Sequence, residues 1–376
     1  MKFQIKQNEL NKGIKLAKQG VGTNNTMPVL NFFKMEAKED SVVITGTDLE
    51  TRIEVDMDAD VETKGTVLIE SKTFAQLINS FSKNDLINIY EDNNIIKVET
   101  NESSFEFNTF DPEEYPEKYS EPLKITEFKT KLDKLNSIIS KTLFARAVKD
   151  ADSRPVLAGL HLESTDDGLD VVATNTYRLA LAKMDNINED DINCIIPSEP
   201  LKTLNKMKTE EVTVKIHKNS YIEFITENVL INSRLIDGDY VKYNAVITDS
   251  YKTQFIVSKE DLKASLKRAS IIAKQENNVI TLTVDENMTI KADNDSGTAE
   301  EQIDINELEG PIQKIAFDVG YLLDMVKNTK GKYKIQLTDK VNPIVIKNIV
   351  REENEEGEYE EVEKDYTYLI MPIRTN

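Results

Sequence analysis

The same pattern of residues occurs three times along this 376-residue chain, at intervals of about 125 residues. Each copy opens with a short alternating strand that leads into a helix, and the strand contains Phe3, Phe128 or Phe255. Repeats of this size are domains rather than the short units of a solenoid. The sequence therefore predicts three similar domains. Their predicted bounds are 1–121, 122–251 and 252–376.

Two further segments give the register of the repeat. Ile69–Phe74 corresponds to Ile196–Leu201 and Phe317–Leu322, at spacings of 127 and 121 residues. Val42–Thr47 is matched with Val171–Thr176, at a spacing of 129 residues. Apolar residues recur at helical spacing in two spans of each repeat and alternate between them, which predicts an α+β fold with two helices packed on antiparallel sheets. The predicted helices are 8–20, 71–83, 130–149, 198–208, 258–274 and 317–330.

The composition indicates an ordinary globular protein, with 39% hydrophobic and 30% charged residues. No apolar run approaches the roughly 20 residues that a membrane helix needs. The N-terminus begins with a strand pattern and not with the apolar stretch of a signal peptide. The single cysteine, Cys194, cannot form an internal disulfide and is expected in a buried strand. We therefore expect a cytoplasmic protein in a reducing compartment.

The distribution of charge is more informative than its total. The formal net charge is −20, which argues against a nucleic-acid binder if the charges are spread evenly. However, the six predicted helices hold 20 basic and 7 acidic residues, whereas the rest of the chain holds 27 and 60. Lysine is also a common helix former on solvated faces, and this alternative applies to any single helix. For the whole set, the excess indicates a basic lining that binds a polyanion weakly and without sequence preference.

Groups that could support catalysis are scarce. The only histidines are His161, expected on a strand surface, and His217, expected in solvent. There is no zinc-ligand spacing and no glycine-rich phosphate loop. No carboxylate pair occurs in an apolar setting that would separate the two pKa values. We therefore predict a non-enzyme without cofactor or metal. The acidic stretch 352–365 is predicted to be a hairpin loop and lacks the spacing of a calcium-binding loop.

Several segments, taken in order, resemble one family. They are Thr26–Leu30, Thr45–Leu49, Ser153–Leu160, Val172–Leu179, Arg234–Gly238 and Leu369–Arg374. Over its full length the chain resembles the bacterial DNA polymerase III beta subunit, the sliding-clamp family. The resemblance implies a processivity factor, in which a head-to-tail dimer forms a ring of six similar domains around duplex DNA. It also implies that Phe105 and Phe107 of one chain meet Ile271 and Ile272 of the other. The alternative, which we favour less, is that the two phenylalanines are alternate residues of one ordinary strand face.

The resemblance further implies one peptide-binding groove per chain. Short apolar motifs of the replicative polymerase, the clamp loader, repair polymerases, ligase and mismatch-repair proteins would compete for it. Tyr177 stands where histidine is common, Val241 where proline is common and Ala245 where arginine is frequent, so partner affinity could differ. The expected lining is Leu157, Thr174, Thr176, Tyr177, Arg178, Leu179, Val241, Val246, Pro343, Leu369, Ile370, Met371, Pro372 and Arg374.

A set of basic residues is expected to face double-stranded DNA. Lys72 and Arg154 match basic positions of the family's DNA path, and Asn24 stands where the family often has arginine. The expected DNA-facing residues are Lys12, Lys15, Lys72, Lys131, Lys134, Lys149, Arg154, Lys202, Lys263 and Lys267.

Two other functions remain open from the residues alone. The first is an adaptor built from repeats that binds peptides and never encloses DNA. The second is a hydrolase that uses acidic side chains, which the missing catalytic grouping disfavours. The two-domain clamps of archaea and eukaryotes are disfavoured because this chain has three repeats.

Overall fold

The structure is a computed structural model that describes residues 1–22, 27–118, 125–148, 153–184, 192–218, 220–248, 250–353 and 359–374. The chain divides into two compact units. The first unit is Met1–Leu135 with Ile196–Leu235, and the second is Asn136–Ile195 with Ile236–Asn376. Among the described residues, no helix is long and apolar enough to cross a membrane.

The described residues form six α-helices and 26 strands in chain order. The first repeat contains β1 (Lys2–Lys6), α1 (Gln7–Ala17), β2 (Phe32–Ala37), β3 (Ser41–Thr47), β4 (Thr51–Asp58), β5 (Asp60–Thr63), β6 (Gly65–Glu70), α2 (Ser71–Ser80), β7 (Leu86–Asp92), β8 (Ile95–Glu99) and β9 (Ser104–Asn108). The second contains β10 (Ile125–Lys131), α3 (Leu132–Thr142), β11 (Leu160–Thr165), β12 (Gly168–Thr174), β13 (Arg178–Met184), β14 (Asn193–Ile196), α4 (Ser198–Leu204), β15 (Glu211–His217), β16 (Tyr221–Ile225) and β17 (Val229–Arg234). The third contains β18 (Thr253–Ser258), α5 (Lys259–Ala273), β19 (Val279–Val284), β20 (Met288–Asn294), β21 (Gly297–Ile303), β22 (Asn306–Glu309), β23 (Gln313–Asp318), α6 (Val319–Asn328), β24 (Lys332–Leu337), β25 (Ile344–Glu353) and β26 (Tyr359–Ile370).

Each unit contains two antiparallel sheets, so the predicted α+β class is confirmed. The first unit has a five-stranded sheet, β5-β1-β7-β8-β9, and an eight-stranded sheet, β10-β15-β16-β17-β4-β3-β2-β6. The second unit has a nine-stranded sheet, β14-β11-β12-β13-β26-β25-β24-β18-β22, and a four-stranded sheet, β21-β20-β19-β23.

The larger sheet of each unit joins strands from two repeats. In the first unit β17 pairs with β4, and Ile231 lies opposite Ile53. In the second unit β13 pairs with β26, and Leu179 lies opposite Leu369. Burying these backbone hydrogen bonds and apolar side chains makes each junction part of a continuous core.

All the helices are shorter than their predicted spans. The span 130–149 was the largest error, since α3 ends at Thr142, whose hydroxyl donates to the Ile138 carbonyl at 2.8 Å. The span 317–330 began too early, because Asp318 still belongs to a strand and caps α6 by accepting from the Gly320 amide. The start of α5 was predicted well: Ser258 accepts a hydrogen bond from the Asp261 amide.

The shorter helices change the charge argument. They hold 11 basic and 6 acidic residues, a net charge of +5, whereas the predicted spans gave +13. Much of the difference comes from cations in the segments next to the helix ends, such as Lys18, Lys83 and Lys274. The helices remain basic within an acidic chain, but the excess is spread over helices and adjoining turns.

One of the predicted repeat alignments is shifted by two residues. After β3, the Thr47 hydroxyl donates to the Thr51 carbonyl at 3.0 Å; after β12, the Thr174 hydroxyl donates to the Arg178 carbonyl at 2.6 Å. Thr47 is therefore equivalent to Thr174, a spacing of 127 and not 129. The shift arose because threonine recurs two residues apart in both segments, at Thr45 and Thr47 and at Thr174 and Thr176, and a two-residue shift preserves the same face of a strand.

The acidic stretch 352–365 is not the loop that the sequence predicted. Strand β25 continues to Glu353 and β26 resumes at Tyr359, so most of this stretch extends a two-stranded ribbon. Residues 354–358 lie outside the described part of the chain.

A close backbone contact between Gly46 and Ala17 holds the end of α1 on the eight-stranded sheet of the first unit. A Cβ at Gly46 would lie 2.2 Å from the Ala17 carbonyl oxygen. We expect Gly46→Ala to lower the free energy of unfolding by about 3 kcal/mol, because backbone cannot move aside as a side chain can. Gly13→Ala is the control: its Cβ would meet the flexible end of Met57, and alanine favours a helix, so the loss should be smaller. Equal denaturant midpoints for the two variants would contradict this account.

Candidate functional site

A mostly apolar groove lies within the second unit and holds about 610 Å³ of empty space, including the part open to solvent. It is formed by the turn after β12, the start of β13, the segment 241–246 and the end of β26. Ten of the fourteen residues expected from the sequence line this one groove. Its lining is Thr174, Thr176, Tyr177, Arg178, Leu179, Val241, Lys242, Tyr243, Val246, Pro343, Leu369 and Met371.

The turn between β12 and β13 presents Tyr177 to the groove. The Asn175 side chain accepts hydrogen bonds from the amides of Tyr177 and Arg178, both at 3.0 Å. Thr176 adopts a left-handed conformation with φ of +75°, which is costly for a β-branched residue. The Thr174 hydroxyl accepts from the Thr176 amide at 3.0 Å and helps to hold that conformation. The result is a rigid turn on which the Tyr177 side chain is 59% exposed.

Arg178 holds the turn of the groove in place through partners that do not line the groove. Its Nη1 donates to Asp324 Oδ2 at 2.7 Å, and its Nη2 donates to the Phe144 carbonyl at 2.5 Å. The guanidinium carbon also lies 4.7 Å from the centroid of the Tyr321 ring. Because these partners hold the guanidinium, Arg178 fixes the turn rather than offering a charge to a ligand.

The segment 240–247 forms the opposite wall and contributes two residues that the sequence did not predict, Lys242 and Tyr243. Tyr243 is buried in a cluster with Leu179 and Leu369. Its hydroxyl lies 2.7 Å from Glu163 Oε2 and 2.9 Å from Asp170 Oδ2. Burial and these two carboxylates raise the pKa of Tyr243. Lys242 is exposed, so the groove has a cation at its rim although Ala245 stands where the family often has arginine.

The four remaining predicted groove residues do not line the groove. Leu157 and Ile370 are buried core residues, Ile370 being on the opposite face of β26 from Leu369. Pro372 and Arg374 follow β26 and are half-buried and exposed, respectively. The end of β26 is tied to the turn, since the Met371 amide donates to the Tyr177 carbonyl at 2.8 Å.

In the first unit, the predicted DNA-facing lysines lie on exposed positions. Lys12 and Lys15 occupy the side of α1 away from its buried residues Leu10 and Ile14, and Lys12 also pairs with Glu9 at 2.9 Å. The remaining lysines of this unit in the set are all exposed, and they are Lys72, Lys131, Lys134 and Lys202.

In the second unit, Lys267 and Arg154 are exposed and Lys263 is half-buried. Arg154 immediately precedes the short 3-10 helix Pro155–Ala158. Lys149 and Asn24 lie outside the described residues.

The residues expected at a dimer contact lie on or beside exposed sheet edges. Phe105 and Phe107 are on β9, an edge strand, and Phe105 is 40% exposed. In the other unit Ile271 and Ile272 are at the end of α5, which packs on the edge strand β21. Phe105 and Phe107 contact Phe81 and Phe74, respectively, so one face of β9 also packs internally, as the alternative interpretation expected.

Both histidines are buried, and the predictions of surface positions were wrong. His161 stacks on Tyr240 with ring centroids 4.3 Å apart, so the segment 240–247 covers that face of β11. His217 stacks on Tyr221 at 3.9 Å and lies 3.3 Å from Glu223.

Cys194 is buried as expected, and burial raises the pKa of its thiol to about 12. Among the described residues no group of His, Cys, Asp or Glu could hold a metal ion.

Three family models match the chain in order. They describe the N-terminal domain of the DNA polymerase III beta subunit over residues 1–120, its central domain over 129–242 and its C-terminal domain over 244–374. The chain is 27% identical over 393 residues to the beta sliding clamp of Bacillus subtilis (strain 168), with 100% of both chains covered.

Solved structures give the same result. The crystal structure of the DNA polymerase sliding clamp from Bacillus subtilis matches with a TM-score of 0.89 at 26% identity, over 100% of both chains. The DNA polymerase III subunit beta from Pseudomonas aeruginosa matches with a TM-score of 0.88 at 25% identity, again over 100% of both chains.

Proposed function

The chain belongs to the DNA polymerase III beta-subunit family, and we infer from this membership that it acts as a DNA sliding clamp. A sliding clamp is a non-catalytic processivity factor in DNA replication. The observation that carries this conclusion is the ordered match of all three domain models, which leaves no room for an unrelated catalytic domain within residues 1–374.

The proposed assembly is a head-to-tail homodimer with six similar domains, three from each chain, bounded at 1–121, 122–251 and 252–376. Two edge strands support it. Strands β9 and β21 each end a sheet, and edge strands present unpaired backbone groups that a second chain can extend. A head-to-tail contact of this kind makes a ring only if its rotation closes. Phe105, Phe107, Ile271 and Ile272 are the proposed apolar contacts.

The proposed ligand of the groove is a short extended peptide with apolar anchors. A concave apolar site with a few polar groups suits such a ligand. The partners proposed to carry such peptides are the replicative polymerase, the clamp loader, repair polymerases, ligase and mismatch-repair proteins. A polymerase tethered in this way stays near its template at a high effective concentration. The protein is proposed to act in the cytoplasm and without a cofactor.

The basic residues of the expected DNA-facing set, Arg154 included, are proposed to face the encircled DNA and to interact with its phosphates. Such contacts are weak, salt-dependent and independent of sequence, which allows sliding. The acidic remainder of the surface would repel DNA from other faces.

Reversing charge on the first unit tests whether DNA is enclosed. We expect the combination of Lys15→Glu, Lys72→Glu and Lys131→Glu to reduce stimulation of a clamp-dependent polymerase by at least about tenfold near physiological salt, because each reversal replaces attraction to phosphate by repulsion. Peptide binding at the groove should remain unchanged, since these residues do not line it. Primer extension on a long circular template and peptide titration provide the two measurements.

A matched control separates position from total charge. Lys38, Lys64 and Lys218 are exposed residues outside the helices of the same unit, and reversing all three changes the net charge equally. This control should retain most of the stimulation. Full stimulation by the first triple variant would instead favour an adaptor that binds peptides without enclosing DNA.

A further inference from the structure

A cluster of three ionisable groups, two of them buried and one half-buried, lies beneath the proposed peptide groove. Glu163 on β11 and Asp170 on β12 are opposite one another in the strand pairing. Both approach the hydroxyl of Tyr243, whose ring lines the groove. Like charges that face each other across two strands are destabilising, so this pair needs a compensating interaction.

The hydrogen-bond geometry limits the number of protons in the cluster. A tyrosine hydroxyl donates one hydrogen and accepts with its lone pairs. If both carboxylates were ionised, only one of the contacts at 2.7 and 2.9 Å would have a hydrogen atom of its own. If one carboxyl is protonated, it donates to the tyrosine oxygen while the tyrosine donates to the other, and both contacts are satisfied.

Asp170 is the better holder of that proton. Its side chain is buried, and within the described part of the chain its Oδ1 has no hydrogen-bond partner. Burial raises the pKa of Asp170, although the hydrogen bond from Tyr243 and the charge of Lys183 act in the opposite direction. Lys183 is its cross-strand neighbour on β13 but also pairs with Asp167 at 3.2 Å.

The two other ionisable rings that face the cluster, those of His161 and Tyr240, favour their uncharged forms at neutral pH and so do not compensate its negative charge. His161 on β11 lies against Tyr240 and Tyr243, and burial lowers the pKa of its imidazole, which therefore favours the neutral form. Burial raises the pKa of Tyr240 and keeps its phenol protonated.

On the basis of the proposed peptide-binding function, we propose that Asp170 carries a proton that it donates to Tyr243 while Tyr243 donates its own to Glu163. These two hydrogen bonds hold the groove wall in its peptide-binding conformation, so that peptide affinity falls as Asp170 loses that proton. Glu163 and Asp170 are thus positioning residues that act through Tyr243. Loss of the proton leaves two negative charges, that of Asp170 being buried, at one hydroxyl and favours displacement of the segment 240–247. The apparent affinity then falls in proportion to the fraction of molecules with the wall in place.

The test measures peptide affinity from about pH 4.5 to about pH 8, a range that begins near the ordinary pKa of an aspartate. The probe is a short rhodamine-labelled peptide of leucine, phenylalanine, serine and glutamine with capped ends, so that the peptide itself does not titrate. We expect the Kd of the unmodified protein to rise about fivefold across this range, as it would if the wall were in place in about a fifth of molecules at the upper end.

Asp170→Asn is the informative variant, because its amide can donate to Tyr243 but has no proton to lose in this range. We expect its Kd to be nearly constant. Asp166→Asn is the matched control, since Asp166 is an exposed carboxylate of the turn between β11 and β12 that is neither at the Tyr243 hydroxyl nor the one paired with Lys183, and it should keep the original pH profile. A constant Kd for the unmodified protein, or the same slope in Asp170→Asn, would overturn the proposal.

A melting experiment tests the cluster without any peptide. A carboxyl whose pKa is raised by folding contributes stability that is lost as pH rises through its folded value. The Tm of the unmodified protein should therefore fall relative to that of Asp170→Asn as pH rises. If no peptide binds at any pH, the proposed peptide-binding function fails, and the melting comparison alone then tests whether Asp170 holds a proton. Parallel Tm profiles of the two proteins would overturn the proposed proton.

Discussion

Replacing Ile271 by aspartate is expected to convert the proposed dimer into monomers. Ile271 is 65% exposed at the end of α5, so the change removes no core contact from the folded chain. In a dimer the same position would become buried, and an unpaired carboxylate there costs several kcal/mol. We therefore expect the dimer Kd to rise by at least about a hundredfold, which corresponds to about 3 kcal/mol.

Sedimentation velocity over a range of micromolar concentrations measures this change directly. Ile312→Asp is the matched control, because Ile312 is also an isoleucine in the same unit and is 64% exposed. Ile312→Asp should sediment as the unmodified protein does, and both variants should melt at a similar temperature. A dimer that persists in Ile271→Asp would show that the contact lies elsewhere, and the proposed contact of Phe105 and Phe107 with Ile271 and Ile272 would have to be abandoned.

The loss of the dimer should also abolish processive synthesis. A monomer cannot enclose DNA, and the weak phosphate contacts of a few lysines do not retain it at physiological salt. Peptide affinity should change little, because the groove is formed within one unit of a single chain. This combination separates failure of ring closure from failure of partner binding.

Long-range organisation was predictable from the sequence because three copies of one pattern reinforce each other. Local boundaries were harder, since they depend on single interactions. Helix α3 ends where the Thr142 hydroxyl bonds to the preceding turn, and nothing in the apolar periodicity of 130–149 indicates this position. The alignment of Thr47 with Thr174 is defined by the hydrogen bonds of a turn. The alternation of residues along the strands fits this alignment and one shifted by two residues equally well.

The wrong position predicted for His161 and the omission of Lys242 and Tyr243 have one physical origin, the packing of a linking segment on a sheet. His161 was expected on a surface because a strand alternates between two faces, but Tyr240 covers the face that seemed free. The same segment places Lys242 and Tyr243 in the groove lining. A signal was present in the three-residue spacing of Tyr240 and Tyr243, but its meaning required the position of β11.

Removing two of the exposed large side chains of the groove, those of Tyr177 and Met371, should abolish partner binding without affecting the fold. Tyr177 and Met371 are both exposed and lie at the joined ends of the turn and β26, where the Met371 amide donates to the Tyr177 carbonyl. Alanine at both positions keeps this backbone bond. Large side chains at the centre of a peptide site each contribute about 2 kcal/mol, so the double variant should weaken binding by at least about a hundredfold.

Titration with a labelled peptide and primer extension on circular DNA test this prediction together. The double variant should lose polymerase stimulation while it remains a dimer of unchanged Tm. Tyr251→Ala with Ile312→Ala removes an exposed tyrosine and an exposed aliphatic residue that do not line the groove, and it should bind normally. Undiminished peptide affinity in Tyr177→Ala with Met371→Ala would move the partner site to another surface. Normal stimulation with lost peptide affinity would mean that the polymerase is retained by contacts outside this groove.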